Sequence, residues 1–169
     1  MSNPLVKYLF VTLVSSWVLC LDQATKIFIH TQFPRQESKA IIKGFFNISY
    51  VTNSGGAFGL FNDSHEWVRF VLFLLFPLVC VFLIFKMLKE TEDRFQILAL
   101  SFILGGAFGN YLDRVRLGYV VDFIDWHVKG WHWPTFNLAD SFIVLGVAIL
   151  CFFYFKEYRQ SKKLDLKES

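Results

Sequence analysis

The sequence predicts a mainly α membrane protein: four transmembrane helices with a small extracytoplasmic β-cradle and a short interfacial helix. Three observations lead there. Hydrophobic residues make up 54% of the 169 residues and charged residues 18%, too little charge to cover a soluble domain of this size. Four apolar segments approach the ~20 residues that a helix needs to cross the hydrocarbon core. Basic residues gather in the short terminal and connecting segments, which marks those segments as cytoplasmic.

The elements follow in order within a single membrane-embedded domain, 1–169. The spans are placed at about 5–21, 67–88, 95–112 and 138–155, and the outer segments at about 22–66 and 113–137. Chain in lipid must satisfy its own backbone groups, so these Leu-, Phe-, Ile- and Val-rich runs are helices. Thr25–Phe33, with Ile27, Phe28 and Ile29, is expected to form the short interfacial helix. Ile41–Phe61 reads as short strands and tight turns: Phe45, Phe46, Ile48, Tyr50 and Val51 precede Gly55, Gly56 and Gly59. Trp126, Trp131 and Trp133 suggest a loop at headgroup level, where aromatic rings settle. Gly-Gly-Ala-Phe-Gly occurs at 55–59 and again at 105–109, but the flanks differ and no structural repeat is read from it. In the third span Gly105 and Gly109 make a small-xxx-small pair that lets another helix approach.

Orientation follows from the basic residues. Lys7, Lys86, Lys89, Arg94, Lys156, Arg159, Lys162, Lys163 and Lys167 lie in the short segments, and fewer lie in the much longer outer ones. Both termini are therefore expected in the cytoplasm. The net charge of +3 comes with no stripe of Lys and Arg, so no nucleic-acid partner is expected. Cys20, Cys80 and Cys151 are odd in number, lie in apolar runs and read as small buried hydrophobes. Bulky Trp17, Val18 and Leu19 before Cys20 do not suit a lipid-modified cysteine, and the first segment is expected to remain as a span.

Polar residues next to the hydrocarbon are costly and therefore functional candidates. Here they cluster at the outer ends of the spans: Asp22 and Lys26, then Asn110, Asp113 and Arg114, then Asp122, Asn137 and Asp140. Asn137 and Asp140 also fit a helix cap, with Asp140 on the favourable end of the dipole. Asp122 sits in Val-Val-Asp-Phe-Ile, where alternation groups it with Ile124 and not with Asp125, the alternative acid. Asn110, Asp113 and Arg114 share one helical face, either as a local Asp–Arg anchor or as donors to substrate oxygens. Two carboxylates sharing a site cannot both ionise freely, so one can serve as base toward water while the other donates to a carbonyl. Metal and serine chemistry fit less well. There is no HExxH, His127 and His132 lack a ligand partner at helical spacing, and no Ser-x-x-Lys or Gly-x-Ser-x-Gly occurs. No metal and no cofactor are expected. A transporter would keep acids deeper in its spans, and a scaffold would use these residues only as caps and anchors.

Five blocks stand in order: Leu21-Asp22-Gln23-x-x-Lys26, Asn53-Ser54-Gly55-Gly56-Ala57-Phe58, Gly105-Gly106-Ala107-x-Gly109-Asn110-x-x-Asp113-Arg114, Val121-Asp122-Phe123 and Phe136-Asn137-Leu138-Ala139-Asp140-Ser141. With them the chain resembles the bacterial lipoprotein signal peptidases, the type II signal peptidases. The resemblance implies an inner-membrane aspartic endopeptidase that cuts diacylglyceryl-modified prolipoproteins before the lipidated cysteine, near the outer face. It puts the catalytic aspartates at Asp122 and Asp140 and substrate contacts at Asn53, Gly55, Asn110, Arg114, Asn137 and Ala139. Asp22, Lys26 and Asp113 become supporting residues, and membrane phospholipid and prolipoprotein become the partners of a monomer. Ser54 and Gly56 stand where the family often has Thr and Ala, which bears on loop stiffness.

Overall fold

The computed structural model describes residues 1, 3–56, 60–61 and 64–168. Its long elements are the helices α1 (Pro4–Gln32), α2 (Glu66–Glu90), α3 (Arg94–Leu117) and α4 (Leu138–Glu168). Each is long and apolar enough to cross a bilayer.

α1 starts on Asn3, whose side chain accepts from the Leu5 and Val6 N–H groups, with Pro4 in its first turn. It does not end at Leu21. No Gly or Pro interrupts residues 5–33, and the helix runs through Asp22 and Lys26 to Gln32. The stretch expected as a separate interfacial helix is therefore the last part of the first span. Asp22 and Lys26 lie one turn apart on the face toward α3, where they pair at 2.9 Å instead of marking an exit into water.

α2 contains a π-helical turn over Val71–Leu75, just before Pro77. Proline has no N–H to give to the carbonyl four residues back, and a widened turn absorbs the ring. α3 is the central helix: half of its apolar window is buried, against 6% for α2 and 11% for the lipid-facing α4. Asp93 caps its start by accepting from Phe95 and Gln96, and Gly118 at φ 80° ends it in a left-handed turn. A Cβ on Gly105 would lie 2.7 Å from the Ser15 carbonyl of α1, and one on Gly106 would lie 2.5 Å from the Ala139 carbonyl of α4. Only glycine permits this backbone-to-backbone packing. Gly109, on the Gly105 face, lies directly against the Asp22 carboxylate. The cysteines are not buried: Cys20 and Cys151 are exposed on helix surfaces, facing outward with the apolar side chains around them, and Cys80 is half-buried.

The two connections at one end of the bundle supply a four-stranded antiparallel sheet in the order β1 (Ser38–Ile42), β2 (Phe46–Asn53), β3 (Val120–Val128), β4 (Trp131–His132). The termini lie at the opposite end, where Lys7 Nζ donates to the Thr91 carbonyl at 3.1 Å. The tryptophan-rich segment expected as a loop is the β3–β4 hairpin. Lys129 (φ 51°) and Gly130 (φ 83°) form its two-residue turn, the primed type that suits strand twist. Val11, Ile84, Leu88, Ile97, Leu100 and Leu104 form the core between helices, and Ile29, Tyr50, Val121 and Phe123 form the core that seats the sheet.

The β2–β3 register carries a bulge. Ile48 pairs with Ile124 and Val51 with Asp122, so β2 spends one extra residue between those pairs. Side chains alternate along a strand, so Asn47 and Asn53 would otherwise face the same way. The bulge sends them to opposite faces of β3.

Candidate active site

Where the sheet meets the helix ends, a cavity of about 490 Å³ opens between β3, α3 and the start of α4. Asp122 and Asp140 both line it, together with Asn53, Asn110 and Arg114. Trp126, Trp133 and Phe136 form an apolar wall that continues onto Ile143 and Val144 of α4.

Asp140 sits in the first turn of α4, and the cap foreseen for it is formed. Its N–H donates to Asn137 Oδ1 at 2.9 Å, and its Oδ2 accepts from the Asn137 N–H at 3.3 Å. Capping leaves Oδ1 free to accept from Asn110 Nδ2 at 2.7 Å. The cap and the cavity thus use different oxygens of one carboxylate.

Asp122 is 2% exposed. Its Oδ1 accepts from Asn137 Nδ2 at 2.6 Å and its Oδ2 from Asn53 Nδ2 at 3.0 Å. Burial, reinforced by repulsion from Asp140, pushes its pKa up to about 7 against the opposing hydrogen bonds from Asn53 and Asn137. Asp125, three residues on, behaves oppositely. Burial would raise its pKa, but hydrogen bonds from His132 and Asn47 prevail and hold it below the usual carboxylate range. It lies on the far face of β3, accepting from Asn47 Nδ2 at 2.9 Å and pairing with His132 Nδ1 at 2.8 Å. Of the two acids considered on this strand, only Asp122 lines the cavity with Asp140.

Behind the cavity, Lys26 Nζ lies 2.9 Å from Asp22, 3.0 Å from Asp113 and 2.8 Å from Asn110 Oδ1. Asp22 in turn accepts from the Ala139 N–H at 3.0 Å, and Asp113 accepts from the Val121 N–H at 3.2 Å. One buried ammonium thereby ties together α1, α3, the start of α4 and the strand that carries Asp122. Such a cluster holds only while every charge is paired. Gln23 completes it, its Nε2 donating to Asp113 Oδ1 at 3.0 Å. Gln23 was not singled out as a site residue, although it stands inside the first motif block.

The local Asp113–Arg114 anchor considered above is not formed, because Asp113 turns to Lys26. Arg114 donates to the Gly55 carbonyl at 2.9 Å and the Asn110 carbonyl at 3.3 Å, with its guanidinium 5.0 Å from the Phe73 ring centroid. Its Nε is buried and has no hydrogen-bond partner among the described residues. Asn53 shapes the turn that follows it: its Oδ1 accepts from the Gly55 N–H at 3.0 Å. Gly55 and Ala139 stand behind the cavity wall, and Ala139 is fully buried. Ala57, Phe58 and Gly59 of the second motif block lie outside the described residues.

The four long apolar helices and the cavity with its two carboxylates at one end of the bundle define a multi-pass membrane protein of enzyme type. The chain belongs to the signal peptidase II family, whose model matches residues 14–156. It is 40% identical over 142 residues to a lipoprotein signal peptidase of Desulforapulum autotrophicum, covering 83% of this chain and 88% of that one. It is 39% identical over 152 residues to the lipoprotein signal peptidase of Syntrophus aciditrophicus, covering 89% and 92%. Its backbone is similar to that of a bacterial membrane enzyme solved by the in meso method at 2.3 Å, with a TM-score of 0.80 at 30% identity, covering 88% of this chain and 89% of that one.

Proposed function

We propose that this protein is an intramembrane aspartic endopeptidase that removes signal peptides from diacylglyceryl-modified prolipoproteins, cleaving before the lipidated cysteine. One observation carries the reading: Asp122 and Asp140 face one cavity, each held by an asparagine, with apolar side chains leading from that cavity to the lipid-facing side of α4.

Asp140, in the first turn of α4, acts as the base and takes a proton from water. Asp122, with its raised pKa, carries a proton near neutral pH and donates a hydrogen bond to the scissile carbonyl. Water attack, with Asp122 passing its proton to the carbonyl oxygen, gives a neutral tetrahedral diol and no covalent enzyme intermediate. Its collapse returns that proton to Asp122 and breaks the C–N bond, and the amine of the lipidated cysteine leaves with the proton that Asp140 received. Arg114 lines the cavity, and its guanidinium, held at the Gly55 and Asn110 carbonyls, is placed to donate to a substrate carbonyl. Asn110 and Asn137 orient the two acids, and Asn53 holds both Asp122 and the turn at Gly55. The diacylglyceryl chains run along Ile143 and Val144 into the bilayer. The positive-inside pattern puts both termini in the cytoplasm and this cavity near the outer face.

The test is cleavage of a lipid-modified prolipoprotein by the wild type, Asp122→Asn and Asp140→Asn in detergent. Each substitution is expected to lower kcat by about 10²–10⁴-fold, the range for losing a positioned acid or base. Wild-type rates in either variant refute the dyad, and ion flux without cleavage would point to a transporter.

A further inference from the structure

We infer that the outer face of the β3–β4 hairpin is a site for a divalent transition-metal ion of the zinc type, held by Asp125, His127 and His132. Sequence spacing offers these histidines no helical ligand pair. They are on strands, where other geometry applies. Asp125 and His127 are two residues apart and share one face of β3, and His132 is the direct cross-strand partner of His127. One donor atom from each lies within 4.8 Å of the others.

Two further observations separate this from an ordinary polar surface. His127 Nδ1 is buried and has no hydrogen-bond partner among the described residues. A buried ring nitrogen without a partner is costly, and an ion would satisfy it. Asp125 is also oriented as metal-binding carboxylates are. Asn47 Nδ2 donates to its Oδ2 at 2.9 Å and Ser49 Oγ lies 3.5 Å from the same atom, leaving Oδ1 toward the histidines.

Ligand atoms around one tetrahedral zinc lie about 3.3 Å apart, given bonds of about 2.0–2.1 Å. The donors lie within 4.8 Å of one another, so the widest pair must close by up to about 1.5 Å, while Asp125 Oδ1 and His132 Nδ1, now 2.8 Å apart, must part slightly. The His127 and His132 rings now stack at 4.7 Å, and the His132 side chain is 53% exposed. It can swing edge-on to an ion without moving the strand. Two imidazoles and one carboxylate select zinc-like ions over magnesium or calcium, which require oxygen ligands, and water completes the fourth position. A bound ion would fasten β4 to β3 beside Trp126 and Trp133, which line the cavity on the other side. This inference is independent of the peptidase reading.

The experiment is calorimetric titration of ZnCl₂ into the full chain, purified in detergent without a polyhistidine tag and freed of metal with EDTA. We expect one ion per chain, no heat with MgCl₂, and at least a tenfold loss of affinity in each of His127→Ala, His132→Ala and Asp125→Asn. His65→Ala should bind as the wild type does. Zinc should raise the Tm of the wild type and not that of His127→Ala/His132→Ala, whose Tm in EDTA reports that it has folded. A wild-type isotherm matching that of the double variant overturns the site. Undiminished binding in His127→Ala and Asp125→Asn also overturns it, since one exposed histidine would then suffice.

Discussion

The raised pKa of Asp122 can be read directly as stability. A free aspartate titrates at 3.8, and Asp122 in the fold titrates at about 7. Between those values the folded chain binds a proton that the unfolded chain has released. Stability contributed by this group is therefore full below about pH 3.8 and is lost as pH rises to about 7. About three pH units at about 1.4 kcal/mol each give an upper bound of about 4 kcal/mol. From pH 5 to pH 8 roughly 3 kcal/mol of that remains to be lost, equivalent to a fall in Tm of roughly 5–10 °C. The assay is thermal unfolding of the purified protein in detergent at both pH values, for the wild type and Asp122→Asn. Other groups titrate in the same interval, so the difference between the two proteins is the quantity that counts. The variant should lose most of the extra fall. Asp140→Asn should keep part of it, shifted to lower pH, because burial persists while the repulsion from Asp140 is gone. If wild type and Asp122→Asn fall in parallel, Asp122 does not hold a proton at neutral pH, and its assignment as the hydrogen-bond donor fails with it.

Three other perturbations test the frame around the acids. Lys26→Met leaves Asp22 and Asp113 buried without their cation and should destabilise the protein by about 3–5 kcal/mol, read as a large drop in Tm. Gly106→Ala places a Cβ against the Ala139 carbonyl, so α4 must shift; kcat should fall by up to about 10²-fold while the helices still form by circular dichroism. Arg114→Lys keeps the charge but loses the planar fork that reaches the Gly55 and Asn110 carbonyls, so KM for prolipoprotein should rise with a smaller change in kcat. A fall in kcat with KM unchanged would contradict the substrate-binding role.

Much of this architecture was legible from local pattern, and the exceptions have physical causes. Apolar runs of bilayer length announce helices because lipid leaves the backbone no other option. The end of the first helix is not legible locally because Asp22 and Lys26 look like an exit into water, when Lys26 pairs with Asp22 in place and with Asp113 on another helix. Asp113 is 87 residues from Lys26 in sequence, and no local window reports it. The hairpin after Asp122 was read as loop because its tryptophans suggested an interface. The signal was present in Lys129-Gly130 between alternating residues. Asp140 was legible twice, as a cap and as a site residue, and the structure gives it the hydrogen bonds of the first while placing it in the cavity. The pairing of Asn53 with Asp122 was not legible, since it depends on a register shift that composition does not encode.

That bulge in β2 makes the strand behave like a reading frame. Substitutions between Ile48 and Val51 change one side chain each. If the same residues ran straight on without the bulge, simple alternation would rotate everything downstream by half a turn. Asn53 would then point away from Asp122 while Asn47 still held Asp125, separating the two faces of the sheet in function as well as in space. Extra residue and bulge belong together: removing both at once would leave Val51 opposite Asp122 and Asn53 on the Asp122 face.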